Sequence, residues 1–303
     1  MTTTLASPTL EAAGETHATP MRLVRAEIMK IRTTNTWWLF GIGIVLVTGL
    51  ALTSNGFRNH FELYPRLGNM PTERQTEAIA QAAQAHTHAG LAAIASDMMT
   101  SGQFFGVLFA MLIGVLVVTN EFFHQTATAT FMTSPHRTTV ILAKLAAAVT
   151  FGVLFWFVST VLDLITTAIY LQTQHVSISL GDWIVVRSVL LNLLAFGMWA
   201  IFGLGLGTLV RSQIGAVVTG MAVYLIGLAA VEVIFNLIYQ FYQHTWVLAA
   251  TVIAPAVASA VMTTPGRLED NAAPQWVGLL VMIGYSVLLG GIGIAITRRR
   301  DIS

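Results

Sequence analysis

A chain of 303 residues that is 55% hydrophobic and only 10% charged, with a formal net charge of +1 and a mean hydropathy of +0.72, lies far from a soluble domain, where about a quarter of residues are charged. The composition excludes an ordinary soluble fold and points to an all-α polytopic membrane protein. Zero cysteine excludes disulfides, thiolate metal sites and Cys nucleophiles.

Residues 1–20 are rich in Thr and Ala and carry no positive charge. They lack a signal-peptide n-region, and a disordered cytoplasmic tail is expected. Residues 21–35, beginning "MRLVRAEIMKIRTT", set Leu23, Ile28 and Ile31 against Arg22, Arg25, Lys30 and Arg32. This is a basic amphipathic helix suited to the headgroup plane, with its cations on anionic lipid.

From 36 to 300 a single transmembrane domain is expected. About 20 apolar residues cross a hydrocarbon core of about 30 Å, and six stretches qualify, near 37–53, 104–119, 141–171, 184–210, 214–237 and 276–297. The first outer loop carries helical periodicity over residues 73–100. Its His86 and His88 point about 200° apart on a helix, which is not the i,i+4 spacing of a metal pair; no metal site is expected.

The segment "TNEFFHQTATATFMTSPHRTTVILAK" (119–144) lies between the second and third spans. Asn120 or Thr119 can cap a helix, Pro135 breaks it, and a second helix starts near Thr138. Glu121, His124 and Arg137 on residues 120–138 make a handle for a soluble partner. "GLGLGT" at 203–208 is read as packing glycine, since Gly203 and Gly207 have the small-xxx-small spacing. Residues 246–262, with Pro255 in the middle, are expected to form an outer re-entrant or interfacial hairpin: a seventh crossing would place Arg298, Arg299 and Arg300 outside.

With both termini cytoplasmic, ten of the 15 Lys and Arg fall inside (Arg22, Arg25, Lys30, Arg32, Arg137, Lys144, Arg211 and Arg298 to Arg300), and Arg58, Arg66, Arg74, Arg187 and Arg267 fall outside. Measured along the helices from Lys144 and Arg211, Asp163 and Glu232 come out at about 30 Å, at the depth of Arg187. The expectation is either helix-holding ion pairs or a polar outer rim on a central cavity, completed by Asn192 and Asn236 and lined in part by Phe104, Phe105, Met198, Trp199 and Phe202. No P-loop, HExxH or Gly-x-Ser-x-Gly occurs, so catalysis by this chain is not expected.

The 119–144 stretch resembles the connection between the second and third spans of ABC-2 type transporter permeases, especially actinobacterial ones. The features that carry the resemblance are Glu121-Phe122, the Thr-rich run 126–130, Pro135, Arg137 and Ala143-Lys144; where that family often has Arg and Gly, this chain has Phe123 and Gln125. The basic N-terminal helix, six spans, large first outer loop and re-entrant element agree, so the resemblance covers about residues 21–300. It implies that Glu121, Phe122, His124, Thr126, Thr128, Pro135 and Arg137 belong to a coupling helix docked in a separate ABC ATPase. Two ATPase copies would hold ATP and Mg, this chain binding no cofactor itself. Two identical permeases would form the path in the plasma membrane, exporting a drug, peptide or lipid. No nucleic-acid partner is expected. The competing readings are a non-transporting sensor or assembly protein, and an ion-coupled secondary carrier.

Overall fold

The computed structural model describes residues 19–68, 70–125, 137–176, 180–210, 212–264 and 273–299. Every regular element among them is helical: α1 (Pro20–Arg32), α2 (Thr36–Leu63), α3 (Thr72–Ala85), α4 (His88–Met99), α5 (Gln103–Phe123), α6 (Arg137–Thr173), α7 (Trp183–Leu209), α8 (Gln213–Tyr242), α9 (Trp246–Ala249) with a 3-10 turn (Ala250–Ile253), α10 (Pro255–Thr263) and α11 (Gln275–Arg299). Local chemistry sets several boundaries. The Asp182 carboxylate accepts from Ile184 N at 2.9 Å and Ser212 Oγ from Gly215 N at 3.2 Å, satisfying first-turn amides of α7 and α8. Pro20 and Pro255 occupy first-turn positions where their missing N–H costs nothing.

Six helices are long and apolar enough to cross a membrane, α4 and α5 together counting as one. The chain is a multi-pass membrane protein by this measure. The second of these spans sits at the centre, with 83% of its most apolar window buried inside the protein, against 17% for α2 and α8.

Glycine on α5 and α7 makes that centre. Gly114 lies against the Ala200 carbonyl and the Leu204 amide, Gly203 against the Met111 carbonyl, and Gly207 against Val115. Without Cβ atoms the two backbones approach directly, as small residues allow between membrane helices. Gly106 meets Phe196, Met111 meets Gly203 and Val115 meets Gly207, so both helices advance together and run parallel. On α8, Tyr224 reaches Phe104 and Gly220 reaches Met111, so α8 runs the opposite way. On α11, Ser286 reaches Met198 and Gly293 reaches Thr208, parallel to α7 again.

This register fixes the course of 246–262. The end of α8 and the start of α11 lie at the same end of the bundle, called here the loop end. There Gln103 Nε2, at the start of α5, donates to the Ser259 carbonyl at 2.8 Å. The two arms, Trp246–Ile253 and Pro255–Thr263, meet at 108°, and Tyr285 Oη donates to the Ile253 carbonyl at their apex at 3.0 Å. Both arms pack against α8 and α11.

Boundaries differ from hydropathy where helices outrun the apolar window. α2 continues past residue 53 to Leu63 because its polar residues have partners. Asn55 Nδ2 donates to Ser101 Oγ (2.8 Å), Arg58 pairs with Asp97 (2.6 Å), and His60 Nδ1 lies 3.0 Å from Gln174 Oε1. The 104–119 stretch is the middle of the longer His88–Phe123 span. The 21–35 helix ends at Arg32. Of the expected tail and coupling segment, residues 1–18 and 126–136 lie outside the described residues.

The glycine contacts carry a direct consequence. Gly203→Ala places a Cβ against the Met111 carbonyl and should cost about 1–3 kcal/mol through overpacking. Gly227→Ala, which meets nothing within 4 Å, should be neutral or slightly stabilising; thermal unfolding of both variants in detergent micelles measures the difference.

Candidate functional site at the two ends of the central helices

At the end of the bundle opposite the loop end, three segments distant in sequence converge through charge. Glu27 and Ile31, four residues apart, form the buried face of α1. Glu121 lies in the last turn of α5 and Lys144 two turns into α6. Lys144 Nζ sits 2.8 Å from Glu27 Oε2 and 2.7 Å from Glu121 Oε1, and Lys30 Nζ 2.7 Å from Glu27 Oε1 and 2.8 Å from Glu121 Oε1. Two carboxylates and two ammonium groups alternate in a ring of ion pairs.

The Lys144, Glu27 and Glu121 side chains are 4%, 7% and 8% exposed. Such a ring offsets the desolvation of its charges only while all members are present. Burial alone would lower the pKa of Lys30, but its hydrogen bonds to Glu121 and Glu27 outweigh that and hold it above the ordinary lysine value.

The ring redistributes the expected site residues. Glu121 points into the ring, while Phe122, Phe123 and His124 beyond it are exposed. Lys30 bonds carboxylates, whereas Arg22, Arg25 and Arg32 project into the surroundings. Arg137 opens α6; Thr126, Thr128 and Pro135 lie outside the described residues. Glu27 was not singled out by the sequence reading, although an acid on the apolar face of an amphipathic helix was a visible signal.

A second polar layer surrounds the break between α4 and α5. Asp163 is fully buried. Its Oδ2 accepts from Ser159 Oγ at 3.2 Å, Ser159 Oγ lies 3.3 Å from Thr48 Oγ1, and Oδ1 has no protein partner. Gly102 packs on both hydroxyls with no space for a Cβ. Among the described residues no cation pairs with Asp163. The link to Thr48 places Asp163 near the middle of α2. It lies about 18 Å along α6 from Phe151, which packs on Trp37 at 6.4 Å between ring centroids.

Within this chain the residues of the expected polar rim lie on separate helices. Asp163 lies among α2, α5 and α6, Arg187 sits near the start of α7, and Glu232 and Asn236 share an exposed face of α8, where Asn236 Nδ2 donates to the Glu232 carbonyl at 2.7 Å. Asn192 is fully buried, with no partner for either amide atom.

The expected cavity lining separates as well. Trp199 and Phe202 are buried core residues and stack at 5.0 Å, with Tyr224 5.0 Å from Trp199. Met198 packs against this core from its edge. Phe104 and Phe105 are partly exposed neighbours at 4.7 Å. His86 Nε2 lies 3.3 Å from the Leu63 carbonyl and His88 Nε2 3.1 Å from Asp182, so the two histidines serve different contacts, and no metal-binding cluster occurs among the described residues.

Compared with known proteins, the chain matches no family model and no curated protein.

Two outcomes follow. Lys144→Met removes the most deeply buried cation of the ring beside Glu27 and Glu121 and should cost about 3–5 kcal/mol, read as a fall in unfolding temperature in micelles; Lys30→Met, at a more exposed position, should cost less. Asp163→Asn keeps a hydrogen-bonding group beside Ser159 and removes an unpaired carboxylate oxygen, so it should unfold at or above the parent's temperature. A loss of more than about 1 kcal/mol would mean that the carboxylate itself holds the helices.

Proposed function

We propose that this chain is the membrane-spanning permease subunit of an ATP-driven transporter of the ABC-2 type, resident in the plasma membrane and exporting a hydrophobic or amphipathic compound such as a drug, peptide or lipid. The observation that carries this reading is the four-charge ring. It binds α1 to both helices flanking residues 126–136, the segment whose composition resembles a coupling helix.

A soluble partner acting on that segment would meet a firm base. The last turn of α5, the second turn of α6 and α1 are joined by charge-assisted hydrogen bonds of 2.7–2.8 Å, so force applied between α5 and α6 would move all three together. Exposed Phe122, Phe123 and His124 would contribute apolar and aromatic contact to the dock, while Glu121 serves from within. The partner would supply the P-loop, ATP and Mg that this chain lacks.

The ring end is the cytoplasmic face in this reading. Arg22, Arg25, Lys30, Arg32 and Lys144 cluster there, and α11 runs towards it to end in basic residues, in line with the preference of Lys and Arg for that side. There α1 would lie at the headgroup plane, with Arg22, Arg25 and Arg32 on lipid phosphates, and 246–262 would be re-entrant from the outer side. A second copy would cover the apolar surface of α8, where exposed Glu232 and Asn236 would face hydrocarbon without a partner.

Affinity purification from native membranes with mass spectrometry should recover a stoichiometric soluble ATPase carrying a P-loop. Phe123→Asp should then reduce stimulation of that ATPase at least tenfold while leaving the unfolding temperature unchanged. An intact permease that brings down no such ATPase favours the sensor or assembly reading.

A further inference from the structure

The layer around Asp163 buries more polar atoms than it satisfies. Ser159 Oγ donates to Asp163 Oδ2, and the Gly102 backbone amide approaches the carboxylate. Oδ1 has no hydrogen-bond partner, and no ion pair among the described residues includes Asp163. The charge therefore has donors but no counter-ion, a costly state for a fully buried side chain. Thr160 and Thr167, three residues before and four after, share its side of α6. Both hydroxyl oxygens are buried and lack partners.

α7 brings an amide to the same level. Asn192 is fully buried, and neither of its amide atoms is bonded. Gly106 of α5 meets Phe196, and α5 and α7 run parallel, so one turn earlier Gly102 is level with Asn192. Across α6 the pairing is antiparallel, with Gly152 against the Phe196 carbonyl and Leu171 in one cluster with Val185. Asn192 is thus level with the turns of α6 that lead to Asp163. Side chains tilt towards the N-terminus of their own helix, so on these antiparallel helices Asn192 and Asp163 lean towards each other.

The donor set selects the ligand. Carboxylate, amide and hydroxyl oxygens suit a hard cation, and a set with one acid and no His or Cys is unlike a transition-metal cluster. Only one donor is charged, so a divalent ion would leave a positive charge unmatched in the interior. An organic cation is too large for a layer in which Gly102 has no room for a Cβ against Thr48 and Ser159. The interruption between α4 and α5 adjoins this layer, and interrupted membrane helices are where sodium is held in other membrane proteins.

We propose that this layer binds a single sodium ion, with Asp163 as the charged ligand and Asn192, Thr160 and Thr167 supplying neutral oxygens. The site does not rest on the transporter reading.

The test uses the full chain in micelles at constant ionic strength, with choline chloride replaced stepwise by sodium chloride and the unfolding temperature recorded. Above half-saturation that temperature should rise by about 2 °C for each tenfold increase in sodium, and potassium should raise it less. Asp163→Asn should abolish the rise while unfolding at or above the parent's temperature in sodium-free medium. Should that variant fail to fold, Thr167→Val, close in shape, should move the onset to about tenfold higher sodium. A rise that persists in Asp163→Asn, or an onset unmoved in Thr167→Val, overturns the proposal. A parent chain that ignores sodium and is instead stabilised by acid also overturns it, and assigns a proton to Asp163.

Discussion

The close approach of α5 and α7 is the constraint on which the rest of the bundle depends. Between helices already in hydrocarbon, little is gained by exchanging lipid contacts for protein contacts, so association rests on fitted surfaces and short distances. Gly114, Gly203 and Gly207 bring the backbones together. The pair then offers one continuous wall to α6, α8 and α11, and the aromatic cluster of Trp199, Phe202 and Tyr224 closes the side facing α8.

The polar residues sit where this packing leaves helix ends and breaks. α5 interrupts its junction with α4 at Thr100–Gly102 and ends beside the ring formed by Glu27, Lys30, Glu121 and Lys144. Each location gathers polar groups from at least three helices. At the ring opposite charges alternate, whereas at the break one carboxylate lies among hydroxyls and the Gly102 backbone, with no cation among the described residues. The ring is consequently a mutual clamp whose members stabilise one another. The Asp163 layer carries an unmet demand, and Asp163, Ser159 and Thr48 hold it at the middle of α2.

Much of the fold was legible in hydropathy because the signal is strong and local. All six apolar stretches appear as long helices, the periodic loop over 73–100 became α3 and α4, and Gly203 with Gly207 packs as the spacing implied. Pro255 opens α10 at the bend. What hydropathy missed was settled by distant partners. The extension of α2 past Leu52 depends on Ser101, Asp97 and Gln174, and nothing within α2 announces them. Glu121 looked like a surface charge because its neighbours Phe122 and His124 are exposed; its burial depends on Glu27 and Lys144, which belong to other helices. Depth along a helix was computable from the sequence, but the direction a side chain faces around the axis was not: Asp163 faces Ser159 in the interior, whereas Glu232 lies on an exposed face.

α6 connects these observations. It spans 37 residues, about 55 Å at 1.5 Å per residue, well beyond the thickness of a hydrocarbon core. Lys144 ties its lower part into the ring, Asp163 and Ser159 tie its middle to α2, and Leu171 packs its upper part against Ala95, Met99 and Val185. An uninterrupted helix is stiff along its axis, so displacement at the ring would be passed to the Asp163 layer without loss in the intervening turns. A broken helix in the same place would dissipate it. The interruption instead falls between α4 and α5, where Gly102 lets the backbone pack directly on the Ser159 and Thr48 hydroxyls. A continuous α6 beside the interrupted α4–α5 span therefore ties the ring end to the loop end through one helix.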